Sequence, residues 1–501
     1  MVPTMLTSSI SVLSQSIVVI LGMILILQLE ANGSLSQMAS AVSTGNYTLL
    51  AQLFFSSSVL DSFIVFAVSS FAIAIVVTIL ATGFVLSAEY GSYLRAIGGE
   101  RVGVAEVMSM LRSRWRAMSW TYFLSSLIVY LPIILAVLGS SYAVYSFRGN
   151  PLAAVFLFYP IGGAALVTVL LAFFLMYSSV AVAAENVSGF TAIRRSFRRA
   201  SDYFSVSLVY AIVRLVSLLA ISLVALYTTD FGLPLSSLAS IAISLLLTPV
   251  LHMTKTAIYR EMTLPAEMEF EVYGDRSAGA ELFRGPYIRY GLSKIKQGLR
   301  ELLNFVFDLS NIVYHLLSIL AFLFGVYAGA YVATHGLTNA IFALGYKPGQ
   351  INPTILSSIP LSQGFDIFLH NWQVSLSTAL SGIWLVAPSL ITLGFNGVIL
   401  GAVYYLTPNS TMFAAAILPH GFIEIPSFII AGSAGVKLGV TFFRAYLWKG
   451  SSKSDSVAVA EFKKTARQVI YVVIGLAVLF LIAGTIEGNI TPIIMRSVGW
   501  H

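Results

Sequence analysis

The stretch Leu418-Pro-His-Gly-Phe-Ile-Glu-Ile-Pro-Ser-Phe-Ile-Ile-Ala-Gly-Ser-Ala-Gly435 places a histidine, a glutamate, two prolines and three glycines inside an apolar segment. In lipid, ionisable side chains are costly and normally face the interior of a helical bundle or a water-filled cavity. Proline and glycine backbone at membrane depth must find its hydrogen-bond partners within the protein. The stretch therefore predicts a polar point inside a membrane bundle, and we expect it to form part of a broken or re-entrant hairpin over residues 411–443.

The composition of the whole chain is that of a polytopic membrane protein. Of its 501 residues 57% are hydrophobic and 10% are charged, whereas soluble proteins carry about 25% charged residues. Cysteine is absent, which excludes disulfides, thiolate metal sites and cysteine nucleophiles. The fold class predicted is all-α, with two fused helical bundles of about 11 to 12 membrane segments. These segments lie near residues 8–29, 60–88, 119–147, 153–184, 204–228, 233–254, 303–333, 366–386, 388–406, 411–443 and 467–487. Residues 366–406 could cross once or twice.

The basic residues predict the orientation of the chain. Of the 28 lysines and arginines, 23 lie in four loops, near residues 95–116, 194–199, 255–300 and 444–467. Positively charged loops face the cytoplasm, so we expect a cytoplasmic N-terminus and an external C-terminus in the plasma membrane. The net charge of +7 follows from this pattern, and no nucleic-acid partner is expected.

Three parts are predicted along the chain: a six-span membrane domain over residues 1–255, a cytoplasmic amphipathic linker over 256–302, and a second membrane domain over 303–501. Within the linker, residues 287–304 have the pattern of a basic amphipathic helix that lies on the anionic inner leaflet. Its basic residues include Lys294, Lys296 and Arg300. The alternative is a solvated linker without lipid contact.

A motif in the first domain runs from Ala184 to Ala200 as Ala-Glu-Asn-Val-Ser-Gly-Phe-Thr-Ala-Ile-Arg-Arg-Ser-Phe-Arg-Arg-Ala. Glu185 marks the membrane interface, Gly189 turns the chain, and a basic amphipathic helix follows. Its membrane-surface arginines are Arg194, Arg195, Arg198 and Arg199. With the stretch around Tyr90 to Arg95, the motif resembles the membrane domain of glycerophosphodiester phosphodiesterases. No phosphodiesterase catalytic domain is attached, so the resemblance implies no such activity. The alternative is a plain positive-inside anchor.

Two further charged features have open alternatives. Arg214 lies about ten residues into the fifth predicted segment, where it either snorkels to the cytoplasmic face or pairs with an acid such as Asp61 or Asp308. Asp308 and His315 are seven residues apart in the seventh predicted helix and would share one face. They could form either part of a proton path or an ordinary interhelical hydrogen bond.

Motifs in the second domain carry a more specific resemblance. The sequence Phe395-Asn-Gly-Val-Ile-Leu-Gly401 is followed by Leu418-Pro-His-Gly-Phe-Ile-Glu424, by Pro426 and by the small residues from Ala431 to Gly435. This order is similar to that of the stage II sporulation protein M family, and Asn371 matches an asparagine that precedes these motifs there. The resemblance implies a membrane scaffold, which in sporulation holds cell-wall hydrolases. The residues it singles out are Asn371, Asn396, Gly397, Gly401, Pro419, His420, Gly421 and Glu424.

The pair His420 and Glu424 permits three interpretations. Their spacing places both on one helical face, as in zinc motifs. No second histidine or acid lies nearby in sequence, however, so no metal and no other cofactor is predicted. The second interpretation is a structural cap, with His420 at a helix start and Glu424 in the first turn. The third is a functional polar site in a broken helix. The following small residues suit close helix contact, within the chain or between subunits, and include Gly432, Ser433 and Gly435.

Two main functions compete. The first is a non-enzymatic membrane scaffold that forms a homo-oligomer, with membrane lipids and cell-envelope or other membrane proteins as partners. The alternative is a permease with a polar route past Asn371, Asn396, His420 and Glu424. A membrane enzyme is disfavoured because no Ser/His/Asp set, carboxylate pair or phosphate loop is legible.

Overall fold

The computed structural model describes residues 2–54, 56–146, 153–229, 243–263, 287–334, 361–384, 386–407, 409–447 and 452–499. Within these ranges the chain is helical and contains no strand. This confirms the all-α fold class. Residues 264–286 of the predicted linker and residues 233–242 of the predicted segment at 233–254 lie outside the described residues.

The helices are numbered in chain order. The first nine are α1 (Val2–Ala31), α2 (Ser34–Ser43), α3 (Tyr47–Phe54), α4 (Ser57–Ile97), α5 (Val104–Ser146), α6 (Ala153–Phe174), α7 (Ser178–Glu185), α8 (Phe190–Asp202) and α9 (Phe204–Thr229). The others are α10 (Thr248–Thr263), α11 (Tyr287–Phe307), α12 (Ile312–Val332), α13 (Leu361–Ser381), α14 (Ala387–Leu406), α15 (Ser410–Leu447), α16 (Ser452–Asn489) and α17 (Thr491–Ser497).

The structure is that of a protein with many membrane-spanning helices. Eight helices of the described residues are long and apolar enough to cross a membrane, and a bent pair made of α1 and α2 would raise the number to nine. The sequence predicts 11 to 12 segments, of which the one at 233–254 lies partly outside the described residues. α13, which the sequence suggests as a span, is not among these eight. It carries Asp366, His370 and Asn371 within two turns.

Contacts divide the chain into two compact units. The first comprises residues 1–7, 79–223 and 242–273, and the second comprises 8–78, 224–241 and 274–501. Residues 8–78 therefore group with the C-terminal bundle. The division at residues 255 and 302 that the sequence suggests stays a prediction.

The first unit contains the amphipathic helix predicted from the arginine-rich motif. α8 buries Ala192, Ile193, Ser196 and Ala200 and exposes Arg194, Arg195 and Arg198, while Arg199 is half-buried. The chain turns into it at Gly189, whose φ of 58° and ψ of −134° form a combination that only glycine adopts readily. The Gly189 amide donates to Thr121 Oγ1 at 2.7 Å. Arg195 pairs with Glu185 at 3.3 Å, and Tyr259 also donates to that carboxylate.

The second unit is held together by helices that approach at glycine. A Cβ built on Gly325 or Gly329 of α12, or on Gly397 or Gly401 of α14, would lie well under 3.0 Å from a backbone carbonyl oxygen of the facing helix. Gly382, just after α13, meets Gly435 and Gly439 of α15 in the same way. Gly298 of α11 and Gly475 of α16 form a third such contact. The backbones therefore touch directly, which no larger residue would permit.

Three predictions from the sequence concern where the helices of this unit begin and end. The broken hairpin over 411–443 is wrong, because α15 is one helix of 38 residues that includes Pro419 and Pro426. Proline removes one helical hydrogen bond, but neighbouring helices let a membrane helix continue through it. His420 accordingly lies in the helix interior and not at its start. Residues 366–406, by contrast, form two helices, α13 and α14, with Pro388 in the first turn of α14.

Asp308 and His315 do not share a helix face. Asp308 lies in the break between α11 and α12, where its Oδ1 accepts a hydrogen bond from the Ser310 amide at 2.9 Å. That hydrogen bond holds the pKa of the Asp308 carboxyl below its usual range. His315 contacts the Phe305 carbonyl oxygen at 3.4 Å, so the pair forms no proton path. In the first unit, Arg214 is exposed and makes no ion pair with any described residue, and the snorkelling alternative stays a prediction.

Candidate functional site

Five polar residues of the second unit converge from four helices, and we call them the polar cluster: Asn371, His420, Glu424, Glu487 and Thr491. α15 supplies His420 and Glu424, which are four residues apart and therefore share one face. α16 supplies Glu487 near its C-terminal end, and α17 begins with Thr491. α13 supplies Asn371. The cluster thus joins the two longest helices of this bundle to two short neighbours.

The three ionisable side chains form the centre of the polar cluster. One ligand atom each of His420, Glu424 and Glu487 lies within 4.8 Å of the others. The His420 Nε2 atom is 4.0 Å from Glu487 Oε2, which is longer than a hydrogen bond. His420 is only 8% exposed. These groups face one another closely, but no hydrogen bond joins them directly; His420 and Glu487 lie at ion-pair distance.

Two outer partners orient these groups. His420 Nδ1 is 3.2 Å from Thr491 Oγ1, so Nε2 is the ring nitrogen left to face the carboxylates. Asn371 Nδ2 donates to Glu424 Oε1 at 3.1 Å. The Oε2 atoms of Glu424 and Glu487 are buried and have no hydrogen-bond partner among the described residues. Buried polar atoms are nearly always paired, so these two oxygens mark an incomplete site.

Glu487 and Thr491 are the members of the polar cluster that the sequence did not indicate. No third ligand lies near His420 in sequence, so the sequence predicts no metal there. In the fold, α16 returns antiparallel to α15 and brings Glu487 to the histidine. A signal was present, since Glu487 ends an apolar segment of the kind in which an acid is costly. Sequence alone did not show which other residues it meets.

The other motif residues of α14 lie outside the polar cluster. The Asn396 side chain donates to the Thr392 carbonyl of its own helix at 2.9 Å. Gly397 and Gly401 are packing residues against α12. Pro419 and Gly421 flank His420 within α15, and Gly421 is buried. The hydrogen bond of Asn396 therefore does not connect this residue with the polar cluster, although the predicted permease route includes both.

The small residues of α15 pack within the chain. Gly432, Ser433 and Gly435 are all buried. A Cβ on Gly432 would meet Leu393 at 2.7 Å, and one on Gly435 would meet the Thr378 carbonyl oxygen at 2.8 Å. Of the two alternatives that the sequence leaves open, this is the contact inside one chain. These residues are not exposed for a contact between subunits.

An apolar cavity of about 470 Å³ also lies in the second unit. α1, α12 and α14 line it, with residues such as Met23, Leu27, Phe324, Leu390 and Val398. Its lining contains no member of the polar cluster. It has no group that would stabilise a polar solute, so it offers no chemical site.

The amphipathic segment predicted at 287–304 is helical and forms part of α11, whereas its contact with the inner leaflet stays a prediction. Lys296 and Arg300 are exposed, while Lys294 is half-buried. The Lys294 Nζ atom donates to the Tyr471 hydroxyl at 3.1 Å and lies 5.1 Å from the centre of the Tyr290 ring. α11 is therefore attached to α16 by side-chain contacts as well as by the Gly298–Gly475 approach.

Comparisons with known proteins point to the same region. A family model described as Stage II sporulation protein M matches residues 318–492. An uncharacterised protein of Methanocaldococcus jannaschii is 31% identical over 127 residues, which are 25% of this chain and 56% of that protein. A second uncharacterised protein of that organism is 29% identical over 171 residues, 31% of this chain and 92% of that protein. The chain thus spans little more than half the length of the first relative.

No solved structure matches the chain. These comparisons do not support the resemblance of the N-terminal half to the membrane domain of glycerophosphodiester phosphodiesterases. The C-terminal resemblance is supported, and the matched residues include every member of the polar cluster. Residues 318–492 are therefore the part of this multi-pass membrane protein that matches the stage II sporulation protein M family.

Proposed function

We propose that the chain is a non-enzymatic integral membrane scaffold of the stage II sporulation protein M type, which holds cell-envelope or other membrane proteins in the plasma membrane. The family match supports a membrane protein of this kind. The observation that carries the scaffold role is the packing of the second unit, where α12 meets α14 and α13 meets α15 through glycine backbone contacts.

Such contacts favour a scaffold over a carrier for a physical reason. Alternating access requires one group of helices to rock against another around a fixed site. Helices that touch backbone to backbone at several glycines lose most of their contact when they move by even a small amount. A bundle with a single favoured packing suits a protein that presents a constant surface to partners.

The proposed homo-oligomer needs a different surface from the one that the sequence suggested. Gly432, Ser433 and Gly435 are used within the chain, so a subunit contact must use lipid-facing side chains elsewhere. We propose that partners and further copies contact the outer surface of the bundle, whose exposed large side chains include Phe324, Tyr327 and Phe422.

The permease alternative rests on one specific observation. Two carboxylate oxygens, on Glu424 and Glu487, are buried without a hydrogen-bond partner among the described residues. Ionisable groups inside membrane proteins often mark a substrate or proton pathway. A permease requires that water and solutes reach these groups from one side of the membrane.

Thiol labelling distinguishes the two functions. Because the chain contains no cysteine, the introduced cysteine of each variant is its only thiol. Ser375 is completely buried and lies one turn from Asn371 on α13. In the full chain in proteoliposomes, we expect Ser375→Cys to resist a charged, membrane-impermeant thiol reagent added on both sides. The exposed control Asn409→Cys should be labelled fully. Rapid labelling of Ser375→Cys in folded protein would support the permease and contradict the scaffold.

A further inference from the structure

We infer that the polar cluster is a binding site for one divalent first-row transition-metal ion, best represented by Zn²⁺, with His420, Glu424 and Glu487 as the protein ligands. The inference does not depend on the scaffold role, because a metal site of this kind fits a scaffold or a permease. It concerns a residue pair, His420 and Glu424, for which the sequence predicts no metal, together with Glu487.

The positions of the three ligand atoms are the first observation that supports a metal site. All lie within 4.8 Å of one another, and His420 Nε2 is 4.0 Å from Glu487 Oε2. Tetrahedral Zn²⁺ with ligands at 2.0–2.2 Å would hold nitrogen and oxygen ligands roughly 3.3–3.6 Å apart. Side-chain movements on the order of 1 Å would close the site. The atoms are too far apart for direct hydrogen bonds but near enough to share one ion.

The charges of the site are the second observation that supports a metal ion. Glu424 and Glu487 are both half-buried, but their Oε2 atoms are buried and have no hydrogen-bond partner among the described residues. No described lysine or arginine forms an ion pair with either carboxylate; the ion pair that involves Glu487 is with His420. Buried charges are normally paired or bind metals. A dication would neutralise both carboxylates and occupy both free oxygens.

The hydrogen-bond partners of the ligand side chains are the third observation that supports a metal site. A histidine that binds a metal almost always donates its other ring N–H to an oxygen, which fixes the ring orientation. His420 Nδ1 lies 3.2 Å from Thr491 Oγ1, an arrangement that leaves the Nε2 lone pair for an ion. Ligating carboxylates are themselves hydrogen-bonded, and Asn371 Nδ2 donates to Glu424 Oε1 at 3.1 Å. Both features are those of an organised ligand shell.

The ligand types indicate the class of ion. Imidazole suits Zn²⁺, Fe²⁺, Ni²⁺ and Cu²⁺, whereas sites for Mg²⁺ and Ca²⁺ consist of oxygen ligands. The chain has no cysteine, so thiolate-selective metals have no ligand. One imidazole with two carboxylates therefore fits Zn²⁺ or a similar ion better than Mg²⁺. The bound ion would join α15 to α16 directly, and α13 and α17 through Asn371 and Thr491.

The test uses the full chain without a histidine tag, in detergent or nanodiscs, after removal of metal with EDTA. Zn²⁺ binding is measured by competition with a chromophoric chelator, and stoichiometry by elemental analysis after gel filtration. We expect one Zn²⁺ per chain, a higher apparent melting temperature with Zn²⁺, and at least a tenfold preference for Zn²⁺ over Mg²⁺. X-ray absorption of the zinc-loaded protein should show nitrogen and oxygen ligands at about 2.0–2.2 Å, including one imidazole.

Variants of matched size separate binding from folding. Glu487→Gln and Glu424→Gln should each weaken Zn²⁺ binding at least tenfold, and Thr491→Val should weaken it about 10- to 100-fold as an outer partner. The control Glu461→Gln removes a carboxylate that pairs with Arg444 at 3.8 Å on the surface, and it should bind Zn²⁺ like the wild type.

Folding of each variant is checked by gel filtration and melting in EDTA, so that only folded variants are compared. The inference would be overturned if the wild-type protein binds none of the three ions Zn²⁺, Mn²⁺ and Co²⁺. Zn²⁺ binding of equal affinity in wild type and Glu487→Gln would overturn it too, because the ion would then lie elsewhere. Loss of binding in all three site variants, with binding kept in Glu461→Gln, is the supporting result.

Discussion

Replacing Gly401 with alanine is expected to destabilise the C-terminal bundle by about 2–3 kcal/mol, the upper part of the range for overpacked cores. The new Cβ would lie well under 3.0 Å from the Val326 carbonyl oxygen of α12. The obstacle is backbone, so no side-chain rotation relieves it, and α12 and α14 must separate along their whole contact. Unfolding of the full chain in mixed micelles, followed by tryptophan fluorescence, measures the loss.

The same helix provides the matched control. A Cβ on Gly394 would lie 3.4 Å from the Ala321 carbonyl oxygen, an ordinary van der Waals distance. Alanine also favours a helix by up to about 1 kcal/mol relative to glycine. Gly394→Ala should therefore be neutral or slightly stabilising. Equal stabilities for Gly401→Ala and Gly394→Ala would show that α12 and α14 do not meet at these residues.

The second large effect is expected at Gly189 in the first unit. Its φ of 58° and ψ of −134° are strongly disfavoured for alanine, and a Cβ would also lie 3.2 Å from Trp120 Nε1. Strained backbone of this kind costs about 1–3 kcal/mol per residue. Gly189→Ala should therefore loosen α8 and weaken its contacts with α7.

Hydrogen exchange measured by mass spectrometry reports this effect locally. Peptides from α8 should exchange faster in Gly189→Ala than in the wild type, while peptides from α15 and α16 should not change. Gly139→Ala is the control, because no atom lies within 4 Å of a Cβ built there. Unchanged protection of α8 in Gly189→Ala would contradict the turn that the structure assigns to Gly189.

Much of the fold follows from the sequence because lipid imposes simple rules. Apolar runs of about 20 residues, polar breaks and basic loops predict helices and their number to within a few. The amphipathic helices α8 and α11 follow from the spacing of apolar and basic residues within each segment. The start of α14 follows from Pro388, because proline is favoured in the first turn of a helix.

The errors arise where tertiary contacts decide the outcome. Two prolines and a polar pair suggested that α15 is broken, but packing against its neighbours keeps it continuous. α13 was predicted as a span but is not among the helices apolar enough to cross a membrane, since it carries Asp366, His370 and Asn371. Local sequence does not record which neighbours satisfy a helix, so it could not distinguish these cases.

The polar cluster was predictable only in part. His420 and Glu424 share a face because of their spacing, and Asn371 followed from the family resemblance. Glu487 and Thr491 come from the far end of α16 and the start of α17, and only the antiparallel packing of α15 and α16 brings them near. The backbone groups that pack against Gly397 and Gly401 could not be predicted either, since a glycine does not indicate which backbone approaches it.

The central claim is that the C-terminal bundle has one packing, as a scaffold requires, and a distance measurement in a membrane tests it most directly. Tyr327 of α12 and Phe422 of α15 are both largely exposed, so cysteines there accept spin labels in a chain that has no other cysteine. Pulsed electron paramagnetic resonance in nanodiscs should give a single narrow distance distribution. Two resolved populations whose ratio changes with pH or lipid composition would contradict the scaffold and indicate a bundle that moves.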